Sequence, residues 1–271
     1  MKLTASPPSR LALAPVVAGV AGVLLAACGS ATPSSADGAA QHGRSGGPAA
    51  SVQGTVTVLA AASLTESFDQ LKKDFEAAHP GVTVETSYGS SATLVQQVDN
   101  GAPASVLALA GTAAAEPLDK SMVKDTKTFA TNVLEIAVPP GNPAHIASIS
   151  ELARSDVKVV LCADTVPCGK AAAATFTKAG VVPNVVSKEV DVKAALAKVK
   201  LAEADAAVVY HSDVVAAKDA VAGVPIEPRY NTTLHYPVIT LNDDAATKAF
   251  VAYLLSDRGL ATVQSFGFAA P

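Results

Sequence analysis

Two serines sit where runs of strand-forming residues give way to helical patterns, and that placement suits the capture of an anion. Ser63 lies in Ala60-Ala61-Ala62-Ser63-Leu64-Thr65-Glu66, directly after the apolar residues 56–59. Ser91 lies in Tyr88-Gly89-Ser90-Ser91-Ala92-Thr93-Leu94, directly after residues 82–86. The start of a helix leaves its first backbone N–H groups without partners and carries the positive end of the helix dipole. A hydroxyl beside those groups completes a cradle for an anion that needs no cationic side chain. A plainer role stands beside this one: Ser63 followed by Glu66 has the spacing of a capping box, which merely closes a helix end.

Cysteines come next. Cys162 and Cys168 are six positions apart. Outside the cytoplasm such a pair closes a small disulfide loop worth about 2 kcal/mol by chain entropy. The spacing is wrong for a zinc knuckle and no histidine pair lies near, so the disulfide is the favoured reading. The five histidines, at 42, 79, 145, 211 and 235, have no metal or triad spacing. Ser121-Met122-Val123-Lys124 has the Ser-x-x-Lys form of penicillin-binding enzymes, and Ser212-Asp213 echoes their second motif. The third motif, Lys-Thr-Gly, is absent and Val214 stands where asparagine is needed, so no enzyme is expected.

The third cysteine, Cys28, belongs to the first residues. Lys2 and Arg10 precede an apolar stretch over 11–27 that ends Leu25-Ala26-Ala27-Cys28-Gly29. A basic start, an apolar run and small residues before a cut read as a secretory signal over 1–27. The ending resembles the bacterial lipobox, in which the cysteine is lipidated, which puts the protein on the outer face of the cytoplasmic membrane. Residues 28–53, rich in Gly, Ser, Ala and Pro, read as a flexible tether.

Loss of residues 1–27 takes away Lys2, Arg10 and no acid, leaving 18 of the 20 Lys and Arg against 24 Asp and Glu. A net charge of −6 excludes nucleic acid as partner, since phosphates need a basic surface. It also means that an anion must be attracted by local N–H groups rather than by the global field.

The elements that must position these residues alternate. Strand patterns at 56–59, 82–86, 133–138, 157–161, 206–210 and 235–241 are interleaved with helical spacing around Phe68, Leu71 and Phe75, around Leu94, Val95 and Val98, and over 170–178, 192–199, 245–255 and 261–266. That alternation predicts an α/β architecture, with parallel-rich sheets covered by helices on both faces. No internal repeat is evident, and no membrane span follows residue 27.

Seven stretches in order resemble the molybdate-binding proteins of bacterial ABC importers, a family of the periplasmic-binding-protein superfamily. They are 60–65, 89–94, Asn100-Gly101-Ala102-Pro103-Ala104, Val166-Pro167-Cys168-Gly169, 190–196, 207–214 and Tyr236-Pro237-Val238, and their order and spacing span nearly all of 54–268. The resemblance implies two lobes, one of 54–136 plus 235–271 and the other of 137–234, closing over the ligand by a hinge. It implies an oxyanion held by Ser63 and Ser91 from lobe one, and by the N–H groups of Cys168 and Val192 and the hydroxyl of Tyr210 from lobe two. It further implies a monomer without cofactor, whose cargo is molybdate or tungstate and whose partners are a permease and its ATPase. A same-fold receptor for another tetrahedral oxyanion such as sulfate is the alternative.

The residues agree with that carry-over. Val192 follows Asp191 at a helix start, Pro167-Cys168-Gly169 is read as a tight turn opening the helix after Lys170, and Tyr210 ends a buried strand. Such a set offers only donors, which a fully ionised dianion satisfies. Five charge-assisted bonds of about 1.5–3 kcal/mol each against an association cost of about 4–15 kcal/mol give micromolar to nanomolar binding. Lys170, two residues past Cys168, either adds charge near the anion or is a solvated helix-start lysine. Residues 105–110, where the family carries an aspartate in a strand, lack that acid. His211 is expected to face away from Tyr210 if the strand continues through it.

Overall fold

The computed structural model describes residues 52–271. The predicted signal, Cys28 and most of the tether lie outside the described residues.

A mixed sheet runs through the molecule in the order β2-β1-β3-β9-β4-β7-β5-β6, with β8 joining β4 on the edge opposite β7. Its strands are β1 (Gly54–Ala61), β2 (Val82–Gly89), β3 (Val106–Ala108), β4 (Asp125–Val138), β5 (Val159–Cys162), β6 (Val185–Glu189), β7 (Ala206–Tyr210), β8 (Ala222–Pro225) and β9 (Thr233–Thr240). The pairs β1–β2, β1–β3, β5–β6 and β5–β7 are parallel. The helices are α1 (Thr65–Ala78), α2 (Ser91–Asp99), α3 (Pro167–Ala179), α4 (Val192–Lys200), α5 (His211–Ala217), α6 (Ala245–Leu254) and α7 (Asp257–Ser265). The α/β class expected from the alternation is the one observed. The strands joining the two parallel groups, β4 and β9, are antiparallel to their neighbours. A long, mixed middle of this kind follows once the chain crosses from one group to the other and returns.

β4 makes the crossing. Up to Val133 it pairs with β9, and from Leu134 onward with β7 and β8. The return passes through the loop after β8, where Asn231 accepts from the Leu134 N–H at 3.0 Å and donates to the Leu134 carbonyl at 2.8 Å. One side chain therefore satisfies the backbone group at the point where strand pairing changes hands.

Each parallel group buries near-continuous apolar strands, as two-sided coverage demands. Val56, Val58, Val84 and Val106 meet Phe68, Leu71 and Phe75 of α1, while Val159, Ala207 and Val208 meet Ala172, Phe176, Leu196 and Val199 of α3 and α4. A smaller cluster of Leu59, Leu94, Val95, Leu107 and Leu109 lies under α2.

Several boundaries differ from the sequence reading. β4 begins at Asp125 instead of 133, because Asp125–Thr128 is exposed and its strand state comes from main-chain pairing with β9. The short strands β3, β6 and β8 carry too little periodicity to stand out. α3 begins at Pro167 rather than after Lys170, since proline is well suited to the first helical position. Cys168 is thus inside the first turn instead of ahead of the helix. The strand does not continue through His211: α5 starts there, and the His211 ring bonds Glu135 at 2.6 Å.

Candidate functional site

Five helical starts converge between the two parallel groups. β1 ends in a 3-10 turn over Ala62–Leu64 that leads straight into α1. Ser63 is therefore not the cap of α1, and Glu66 does not reach back to it. Ser63 Oγ is instead hydrogen-bonded to the Tyr236 hydroxyl at 3.0 Å. At α2 the work is divided between neighbours. Ser90 is the cap, accepting from the Thr93 N–H at 3.2 Å. Ser91, next along, accepts from the Ala110 N–H at 2.9 Å. A hydroxyl whose lone pair is taken by an N–H has its own proton free to donate.

α3 presents its first turn because the Cys162–Cys168 disulfide pins it to the end of β5, with Cα atoms 5.7 Å apart. The approach is so close that a Cβ on Gly169 would lie 2.0 Å from the Ala163 carbonyl oxygen, which only glycine avoids. α4 is capped by Asp191, whose carboxylate accepts from the Ala194 N–H at 2.9 Å. The N–H groups of Cys168 and Val192, in the first turns of α3 and α4, have no intrahelical acceptor.

Tyr210 ends β7, fully buried, and its hydroxyl has no hydrogen-bond partner. Burial holds that hydroxyl well above the ordinary tyrosine range, with the nearby Tyr236 and Asp213 adding to the effect, so it remains a donor. An orphaned buried hydroxyl costs about 1–3 kcal/mol and marks a place where a partner belongs.

All five residues singled out from the sequence line one cavity of about 20 Å³, with Ala61, Ala62, Gly89, Ser90, Ala110, Pro167 and Asp191 completing its wall. One ordered water needs about 10–15 Å³ on this measure, so the space suits a small ion rather than an organic molecule. No lysine, arginine or histidine lines it. The single carboxylate on the wall, Asp191, is engaged in its cap. What remains is a set of donors: two serine hydroxyls, a phenol and helix-start N–H groups.

Lys170 lies apart from this cavity. It is exposed and lines a larger space of about 470 Å³ that shares only Ala110 and Pro167 with the first. Ser121 and Lys124 are exposed and reach neither space, and Ser212 donates nothing to a nucleophile but accepts from Asn132 at 2.8 Å. At the departure over 105–110, Ser105 accepts from the Thr57 N–H at 3.2 Å and from Asn242 at 3.3 Å, filling the local polar role. Among the described residues no group of three His, Cys, Asp or Glu could hold a metal ion, and no helix is long and apolar enough to cross a membrane.

Sequence reasoning missed Tyr236 and Asn132. Tyr236 is fully buried between Phe129, Tyr210 and Phe268 and is hydrogen-bonded to Ser63, with the Asn132 side chain close by. Its only sequence signal was membership of the Tyr236-Pro237-Val238 stretch. Nothing local in Asn132 pointed to the site.

Comparison with known proteins gives the family and the fold. Residues 56–269 match the family model for bacterial extracellular solute-binding proteins. The chain is 34% identical over 254 residues to the molybdate-binding protein ModA of Mycobacterium tuberculosis, covering 91% of this chain and 93% of that one. Among solved structures it is similar to the periplasmic molybdate-binding protein of Azotobacter vinelandii, with a TM-score of 0.70, 20% identity, and coverage of 80% and 99%. The sulfate-binding protein SubI of M. tuberculosis is similar with a TM-score of 0.71, again at 20% identity, and with coverage of 80% and 86%. The two structures show the shared fold.

Proposed function

Given that the chain belongs to the bacterial extracellular solute-binding proteins, we propose that it captures molybdate, and tungstate equally, outside the cytoplasm and delivers it to an ABC permease driven by its ATPase. The observation that carries this reading is the orphaned Tyr210 hydroxyl, aimed with two serines and two helix starts at one ion-sized cavity. The likeness to ModA supplies the chemical identity.

In this reading the two parallel groups are the lobes, hinged where β4 changes partner and where Asn231 bridges to Leu134. Ser63 and Ser91 donate from one lobe; the Cys168 and Val192 N–H groups and Tyr210 donate from the other. With Tyr236 as the donor of its bond to Ser63 Oγ, the serine proton is free for the anion. A doubly ionised tetrahedral oxyanion meets every donor, whereas hydrogen phosphate brings a proton that no acceptor in the cavity receives. Molybdate and sulfate carry equal charge, so cavity size separates them. Lipid at Cys28 holds the protein at the membrane, and no cofactor takes part.

Titration calorimetry of residues 54–271 with molybdate, tungstate, sulfate and phosphate tests this. Tight, near-stoichiometric binding of the first two with little heat from the others is expected. Tight sulfate binding would keep the site and change the cargo.

A further inference from the structure

One ion pair spans the cavity's edge without touching the cavity. Lys193, the residue after Val192, places Nζ 2.9 and 2.7 Å from the two carboxylate oxygens of Glu66, three residues after Ser63. The same Nζ is 3.0 Å from Asp213 Oδ1. Asp213 is fully buried, and its other oxygen accepts the Tyr210 N–H at 3.2 Å. The four groups form one line: Glu66, Lys193, Asp213, Tyr210. Each stands beside a donor of the anion site.

Their chemistry makes the line asymmetric. Lys193 and Asp213 belong to the same lobe, on α4 and α5. Burial opposes the Lys193 charge, but Asp213 and Glu66 outweigh it and hold the ammonium above its ordinary range. Burial raises the Asp213 carboxyl, with Lys193 pulling the other way. Neither can be left alone at that depth without large cost, so this pair stays together. Glu66 is different. It is partly exposed, belongs to α1 of the other lobe, and can exchange Lys193 for water at little cost. The only contact of the line that breaks when the lobes part is therefore Glu66–Lys193.

We propose that Glu66 and Lys193 are positioning residues that latch the closed lobes over the oxyanion, and that rupture of their contact precedes release. This rests on the two-lobed reading given above. Neither Ser63 nor Val192, the residues that the latch flanks, lines the larger space through which Ala110 and Pro167 face outward. The latch thus closes one edge of the cleft while the other stays open to arriving anion. The donors on both lobes hold the anion; the latch lengthens its stay and, with association unchanged, tightens binding by the same factor.

The test uses the soluble protein and Glu66→Gln, which keeps the shape of a partly exposed side chain. Radiolabelled molybdate is released into excess unlabelled anion, and small-angle scattering measures the ligand-free radius of gyration. The latch predicts release about three- to tenfold faster, association within about twofold, and a larger ligand-free radius. It also predicts that salt speeds release from the wild type more than from the variant. Glu66→Asp should restore part of the slow release. The double variant Lys193→Met, Asp213→Asn removes the buried pair as a unit and should release as fast as Glu66→Gln. Wild-type release rate and radius in Glu66→Gln would overturn the latch. Failure of the wild type to bind any of the anions would instead overturn the function, while the radius comparison still judges the latch.

Discussion

At the scale of single residues, the site depends on which hydroxyls are spoken for. Ser90 spends its oxygen on the helix cap and Ser91 does not, although the two are adjacent and chemically identical. Ser63 is held by Tyr236 rather than by a cap. Ser63→Ala and Tyr210→Phe should each weaken molybdate binding by at least about tenfold, the worth of one charge-assisted hydrogen bond. Their stabilities should part company. Tyr210→Phe removes a buried hydroxyl that lacks a partner, so the ligand-free melting temperature should hold or rise. A large fall would mean that the hydroxyl is satisfied within the protein. Because burial keeps Tyr210 protonated well above its ordinary value, affinity should stay flat from about pH 7 to about pH 10. Calorimetry across that range checks it, and a loss of binding centred near about 10 would contradict it. Ser63 and Ser91 were legible in the chain as hydroxyls at strand-to-helix boundaries that periodicity marks, and Cys168, Val192 and Tyr210 through the family resemblance. Tyr236, Asn132, Glu66 and Lys193 were not. Their partners lie 173, 80 and 127 positions away, and no local pattern encodes such a distance.

At the scale of elements, the first turn of α3 is the most constrained part of the site. The disulfide fixes Cys168 to the end of β5, and Gly169 lets the helix approach within reach of the Ala163 carbonyl. Replacing both cysteines with alanine should lower stability by about 2 kcal/mol, a fall of about 4–8 °C in melting temperature for a chain of this size. Gly169→Ala, whose methyl meets a backbone oxygen, should weaken binding further than that loss of stability explains, because it displaces the Cys168 N–H. Melting curves and calorimetry on the same samples separate the two effects. The helices and long strands were readable from apolar spacing. The exposed start of β4, the short β3, β6 and β8, and the helix directly after Tyr210 were not, because pairing across the sheet and not local pattern creates them.

At the scale of the whole molecule, the sheet gathers donors from distant stretches of the chain around one cavity. With a net charge of −4, the chain attracts an anion only through local donors, which a sheet that folds back through β4 and β9 brings to one cavity. Ligand that binds only the folded chain stabilises it by mass action, so melting temperature should climb with molybdate concentration, by about 2.7 kcal/mol of stability at a hundred times the dissociation constant. The function rests above all on where the anion sits. A crystal soaked in molybdate, measured at the molybdenum absorption edge, locates it without assumption. One strong anomalous peak is expected in the cavity, within hydrogen-bonding distance of Ser63 Oγ, Ser91 Oγ, the Cys168 and Val192 nitrogens and the Tyr210 hydroxyl. A peak elsewhere, or none at saturating molybdate, would contradict it.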